Sequence, residues 1–187
     1  MTPAPAIRAL QRGDGEALAR LLEDHAATEA ARVFHPFPLT RETAVRLVTA
    51  ARADRYWGAW IDGRMVGFAM LRGWDAGFEV PSFGILVDRR FWRRGIGTTL
   101  TAEALQTARI AGCRWVRLTV YASNRVALRL FDRAGFREVS REPGSAGGEQ
   151  DTRILMRCVL PPAGSPPAAA APGSRAIAPD LLRDGAD

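Results

Sequence analysis

The apolar run Phe83-Gly84-Ile85-Leu86-Val87 passes through Asp88-Arg89-Arg90-Phe91-Trp92-Arg93-Arg94 into Gly95-Ile96-Gly97-Thr98 and then into a helical pattern. A buried strand, a basic turn, two spaced glycines and a helix in immediate succession demand a fold in which a sheet delivers the chain straight onto a helix start. Such a start presents backbone N–H groups without acceptors and the positive end of the helix dipole, so a diphosphate placed there meets donors and favourable potential together. Gly95 and Gly97 let the backbone approach it closely.

The kind of phosphate ligand narrows by exclusion. A P-loop needs Lys followed by Ser or Thr after its last glycine, and the chain has no lysine. A dinucleotide fingerprint needs a third small residue where Leu100 stands and an acid at the end of the next strand, where Val120-Tyr121 stands. A plain strand-to-helix turn without a ligand stays open on this motif alone.

A second motif decides the matter. Val120-Tyr121-Ala122-Ser123-Asn124 runs into Arg125-Val126-Ala127-Leu128-Arg129-Leu130-Phe131-Asp132-Arg133-Ala134-Gly135-Phe136, which reads as strand, cap, helix and stop. Ser123 or Asn124 suits the N-cap, Ala127, Leu130, Phe131 and Ala134 form one apolar face, and Gly135 suits a left-handed C′ position. Together the two motifs resemble those of the GNAT acyltransferase superfamily, over residues 6 to 160.

The resemblance implies an α/β fold with a mixed, strongly twisted central sheet of six to seven strands flanked by about four helices. It further implies acetyl-CoA as cosubstrate, no metal, and transfer of the acetyl group to a primary amine of a small polar acceptor by direct attack. A non-catalytic acyl-CoA-binding module and transfer to a protein amine stay open as alternatives. In this reading the pantetheine arm pairs with Ile85, Leu86 and Val87 as an added strand would. Arg93, Arg94, Gly95, Ile96, Gly97 and Thr98 surround the pyrophosphate, and Asn124 reaches the arm from the other side. Two positions depart from the superfamily pattern. Trp92 stands where many members carry Gln or Arg, and Phe131 where many carry a Tyr that protonates the departing sulfur. A thiol with a pKa near ~8.5 leaves tolerably as thiolate, which softens the second loss. Tyr121 is a candidate substitute acid, also readable as a strand-end packing residue, and Glu79 and His35 are candidates for the general base, each also readable as an ordinary loop residue.

Composition agrees with one domain and a tail. The 187 residues divide into a domain over 1–160 and a Pro/Ala/Gly-rich stretch over 161–187 that lacks the apolar residues for a core and is expected to be disordered. The formal charge of +6 invites nucleic acid, but no basic stripe interleaved with aromatics appears, and the charge suits an anionic coenzyme. Cys113 and Cys158 are too few for a disulfide framework and read as packing residues. No segment is apolar enough to span a bilayer, so a cytoplasmic protein without nucleic-acid or membrane partners is expected, with a homodimer as an open assembly.

The element order follows from periodicity. Strands are expected at Ala6 to Leu10, Tyr56 to Ile61, Arg64 to Leu71, Ser82 to Val87 and Trp115 to Val120, with a closing hairpin of Arg137 to Ser140 and Arg153 to Leu160. Asp62-Gly63 marks the first hairpin turn. Helices are expected at Asp14 to His25 (Leu18, Leu21, Leu22 inward), Arg41 to Ala53 (Ala44, Val45, Val48 inward), Gly97 to Ala111 and Asn124 to Ala134. The aromatics Trp57, Trp60, Trp74 and Phe78 are expected to fill core rather than to stack on a ligand. His25, near a helix end, is expected to complement the dipole.

Overall fold

The structure is a computed structural model that describes residues 4–162. The expectation for the tail therefore falls almost wholly outside the described residues. Seven strands form one mixed sheet in the order β1-β2-β3-β4-β5-β7-β6, with β1 at Ala6–Ala9, β2 at Arg55–Ile61, β3 at Arg64–Arg72, β4 at Ser82–Val87, β5 at Trp115–Tyr121, β6 at Arg137–Ala146 and β7 at Glu149–Val159. Helices α1 (Gly15–Ala26), α2 (Glu29–Val33), α3 (Arg41–Ala50), α4 (Ile96–Ile110) and α5 (Arg125–Arg133) flank it. All pairings are antiparallel except β4 with β5, which are parallel.

The two faces of the sheet carry two cores. Ile96, Leu100, Ala104 and Ala108 of α4 pack with Phe131 of α5 against Val66, Leu71, Phe83, Val116, Leu118, Ile154 and Met156. On the opposite face Leu18, Leu21 and Leu22 of α1 and Leu47 of α3 cover Tyr56, Met65, Phe68, Met70 and Leu86. At roughly 1.5–3 kcal/mol for each buried aliphatic or aromatic side chain, these two layers supply the main drive to fold.

Several expectations need correction. In α3 the inward residues are Thr43, Ala44 and Leu47; Val45 is exposed, because the helix lies one residue further round than its valines suggest. The chain between α1 and α3 holds the short α2, capped by Thr28 Oγ1 accepting from the Ala30 N–H. The closing hairpin runs nearly to its turn, Gly147-Gly148, with both glycines at positive φ (60° and 88°). Pro143 is tolerated within it because β6 is an edge strand. Phe78 is exposed rather than core.

The decisive feature is the junction of β4 and β5. They share a single parallel bridge, Ser82 to Arg117, marked by the Arg117 N–H donating to the Pro81 carbonyl at 3.1 Å. Beyond it the strands part, leaving a fork in mid-sheet.

Candidate active site

The fork exposes backbone groups with a definite phase. The Asp88 N–H donates to the Val66 carbonyl at 2.9 Å, which makes Val87–Gly67 a non-hydrogen-bonded pair of the antiparallel ladder. Leu86 therefore turns its own N–H and C=O to β3 and buries its side chain under α1, so it serves the scaffold rather than the gap. Ile85 and Val87 face the other way, into the gap. The Val87 carbonyl is already used: it accepts the Trp92 indole N–H at 2.8 Å. The Ile85 N–H and C=O and the Val87 N–H remain as one acceptor flanked by two donors, the set an extended amide chain needs to add as a strand.

At the open end of the fork lies the basic turn. Gly95 is left-handed (φ 76°) and caps α4 without a side-chain bond, leaving the N–H groups of Ile96, Gly97 and Thr98 as the unpaired first donors of a helix of 15 residues. Gly97 is small for a further reason, since a Cβ there would stand 3.2 Å from Leu130 Cδ2 of α5. The four arginines of the turn have different roles. Arg90 folds back on the buried Asp88, with Nη2 at 2.6 Å and Nε at 3.0 Å from its oxygens. Burial pushes the Asp88 carboxyl up, but the Arg90 side-chain and backbone N–H bonds and the Arg90 charge outweigh it and hold the group below the usual carboxylate range. Arg89 lies over the Trp92 ring and Arg94 over Phe91, at 5.9 and 5.3 Å from the centroids. Arg93 is exposed and held at φ 60°.

On the far side of the gap Asn124 Oδ1 caps α5 by accepting the Ala127 N–H at 3.2 Å, which leaves its amide NH2 free to turn to a ligand. Ser123 instead donates to Asp151 of β7, so the cap falls to Asn124. Phe131 is buried against Phe83 and Phe136, with centroids at 6.1 and 5.8 Å, and has no proton to give.

Two of the three catalytic candidates meet. The Tyr121 hydroxyl stands 3.1 Å from His35 Nε2, and the rings stack at 5.6 Å between centroids and 16° between planes. The sequence separates them by 86 residues. Phe34 brings the loop after α2 onto β4, where a Cβ on Gly84 would stand 3.4 Å from its ring. Glu79 is exposed in the loop entering β4. His25 is buried, its Nδ1 2.7 Å from the Leu21 carbonyl. Among the described residues no group of three or more His, Cys, Asp or Glu is placed to hold a metal ion, and no helix is long and apolar enough to cross a membrane.

The sequence profile of the acetyltransferase (GNAT) family matches residues 18–136, from α1 through the whole fork to the end of α5. The chain belongs to that family. As a GNAT acetyltransferase domain it is 31% identical over 95 residues to YwnH of Bacillus subtilis, named as a phosphinothricin acetyltransferase, with 49% of this chain and 58% of that protein covered. The chain thus spans little more than half of that relative's length. It is 29% identical over 126 residues to a [ribosomal protein bS18]-alanine N-acetyltransferase of Salmonella typhimurium, with 65% of this chain and 81% of that protein covered. A GNAT acetyltransferase of Streptococcus pneumoniae superposes with a TM-score of 0.74 at 20% identity, over 84% of this chain and 99% of that one. An acetyltransferase of Salmonella typhimurium solved with acetyl-CoA gives 0.73 at 18% identity, over 89% and 100%. These two likenesses establish the GNAT fold.

Proposed function

We propose that the protein transfers the acetyl group of acetyl-CoA to the primary amine of a small polar acceptor, by direct attack with both substrates bound. The observation that carries this reading is the β4–β5 fork, whose unpaired Ile85 N–H, Ile85 C=O and Val87 N–H lead directly into the Arg93–Thr98 turn. The turn takes the pyrophosphate, the Val87 N–H and Ile85 C=O take the amides of the arm, and the Ile85 N–H faces the thioester carbonyl. A donor preset at that oxygen favours the transition state over the ground state.

The Tyr121–His35 pair supplies the proton path. As the amine nitrogen bonds to the thioester carbon, its proton passes to the Tyr121 oxygen while the Tyr121 proton passes to His35 Nε2, and the exposed imidazole returns it to solvent. The C–S bond breaks toward the thiolate, which takes a proton from water, since Phe131 offers none. Glu79 is the remaining candidate base. The bS18-alanine N-acetyltransferase of Salmonella typhimurium supports a protein amine as the second acceptor class.

Release of free CoA from acetyl-CoA, measured over a panel of small amines and peptides, tests the reading. Tyr121→Phe should lower kcat by ~10²-fold, the scale of a positioned proton-transfer group, with acetyl-CoA KM held. His35→Gln should flatten the acid limb of the kcat profile. A limb that moves with Glu79→Gln instead would transfer the base role to Glu79, and coenzyme binding without turnover of any acceptor would leave a binding module.

A further inference from the structure

One row of residues crosses five strands of the sheet at the level where the fork closes. The register aligns Arg72 of β3 with Ser82 of β4, Ser82 with Arg117 of β5, Arg117 with Arg157 of β7, and Arg157 with Arg137 of β6. Like charges directly opposite on neighbouring strands repel, so four arginines in one row need compensation. The outer two have it: Arg72 lies 3.8 Å from Asp54 and Arg137 lies 2.9 Å from Asp132. Among the described residues no carboxylate pairs with Arg117 or Arg157. Both are instead held over aromatic rings, Arg157 at 4.0 Å from the Trp115 centroid and Arg117 at 5.7 Å from the exposed Phe78. Cation–π contacts fix a guanidinium in place without neutralising it.

The face on which they stand is the one open to an acceptor. Val116, Leu118 and Val120 of β5 and Ile154, Met156 and Cys158 of β7 point into the core under α4 and α5. Arg117, Tyr121 and Arg157 alternate with them and lie on the opposite face, where α1 and α3 cover β2, β3 and β4 but not β5 or β7. Tyr121 ends the same strand four residues beyond Arg117. Ile85 lies three residues beyond Ser82, so the thioester position is about 10 Å along the strands from the arginine pair at ~3.3 Å per residue.

From this juxtaposition we infer that Arg117 and Arg157 form an anion subsite and that the acceptor is a small amine carrying a carboxylate, phosphinate or phosphonate group. The guanidinium forks hold the acidic group by charge-assisted bonds, and the amine at the other end of the molecule reaches the fork beside Tyr121. The inference rests on the acetyl-transfer reading and names its acceptor class.

The test compares primary amines bearing a carboxylate or a phosphinate with their methyl esters, by CoA release and by thermal stabilisation of the CoA complex. The acidic amines should exceed their esters in kcat/KM by at least tenfold. Arg117→Gln and Arg157→Gln should each remove most of that preference through acceptor KM, Arg117→Lys should restore part of it, and titration should find acetyl-CoA binding intact. Esters turned over as well as acids, or a preference untouched in both folded variants, would overturn the subsite. If nothing is turned over, the acetyl-transfer reading fails and the stabilisation arm decides. A shift given by the acidic amine alone and lost in Arg117→Gln supports the subsite, and equal shifts from acid and ester, or no shift, refute it.

Discussion

Trp92 shows how one residue alters a shared site without removing it. Its indole N–H ends on the Val87 carbonyl at 2.8 Å, tying the basic turn to the last residue of β4. That bond takes an acceptor from the gap and presets the turn. Trp92→Phe keeps the ring but loses the donor; an exposed hydrogen bond is worth ~1 kcal/mol, so acetyl-CoA KM should rise about five-fold with kcat unchanged. An unmoved KM would mean that the turn needs no tether. Arg93 carries the opposite balance. A non-glycine residue at φ 60° costs ~1 kcal/mol or more, so Arg93→Gly should keep or raise the thermal midpoint while coenzyme affinity falls with the lost charge. A simultaneous loss of both would show that the arginine braces the turn instead. The sequence discloses the departure at Trp92, since it breaks a motif, but not the indole's bond, which depends on how the chain folds back between Arg89 and Phe91.

The elements legible in the sequence are those whose signals are local. Asp62-Gly63, at φ 48° and 74°, closes the β2–β3 hairpin as the turn chemistry demands, and Gly135 ends α5 at φ 95°. The β6–β7 hairpin is less legible, because Pro143-Gly144 interrupts its pattern, although Gly147-Gly148 is itself a turn signal for register Ala146 to Glu149. The 3₁₀ turn after β4 rests on Asp88, which caps it by accepting the Arg90 N–H at 3.0 Å. The folded Asp88 carboxyl lies below its unfolded pKa, so its contribution is present above the unfolded value, ~4, and is lost as pH falls through the folded one. Asp88→Asn should therefore destabilise at pH 7, by ~1–3 kcal/mol for a buried acceptor of charged donors, and much less near pH 2. Denaturant midpoints at the two pH values check this. A penalty of equal size at both would assign the effect to packing rather than to charge.

At the scale of the whole molecule the fork is a consequence of topology, which is why no local pattern announces it. Two cores on opposite faces hold β3 with β4 and β5 with β7 by full ladders, while one bridge joins the halves, so the ligand gap opens along the seam with the fewest hydrogen bonds. The pairing of Tyr121 with His35 and the row through Arg117 and Arg157 likewise need the assembled sheet. Strand alternation alone places Arg117 opposite Val116 and Leu118, but only register sets it beside Arg157. The core on the α1 side also carries a titration that reports on the whole fold. Burial, and next the Asp54 charge, push the Tyr56 phenol up to about 12. An unfolded tyrosine ionises near ~10, so the native state keeps a proton that the unfolded state releases. Stability should be level through neutral pH and fall by about 2–3 kcal/mol as pH rises from ~10 to ~12, the price of holding that phenol neutral. Tyr56→Phe has no proton to lose, so its unfolding free energy should decline less over that window than that of the parent, by most of this amount. Parallel declines in urea titrations across it would place the alkaline loss elsewhere in the protein.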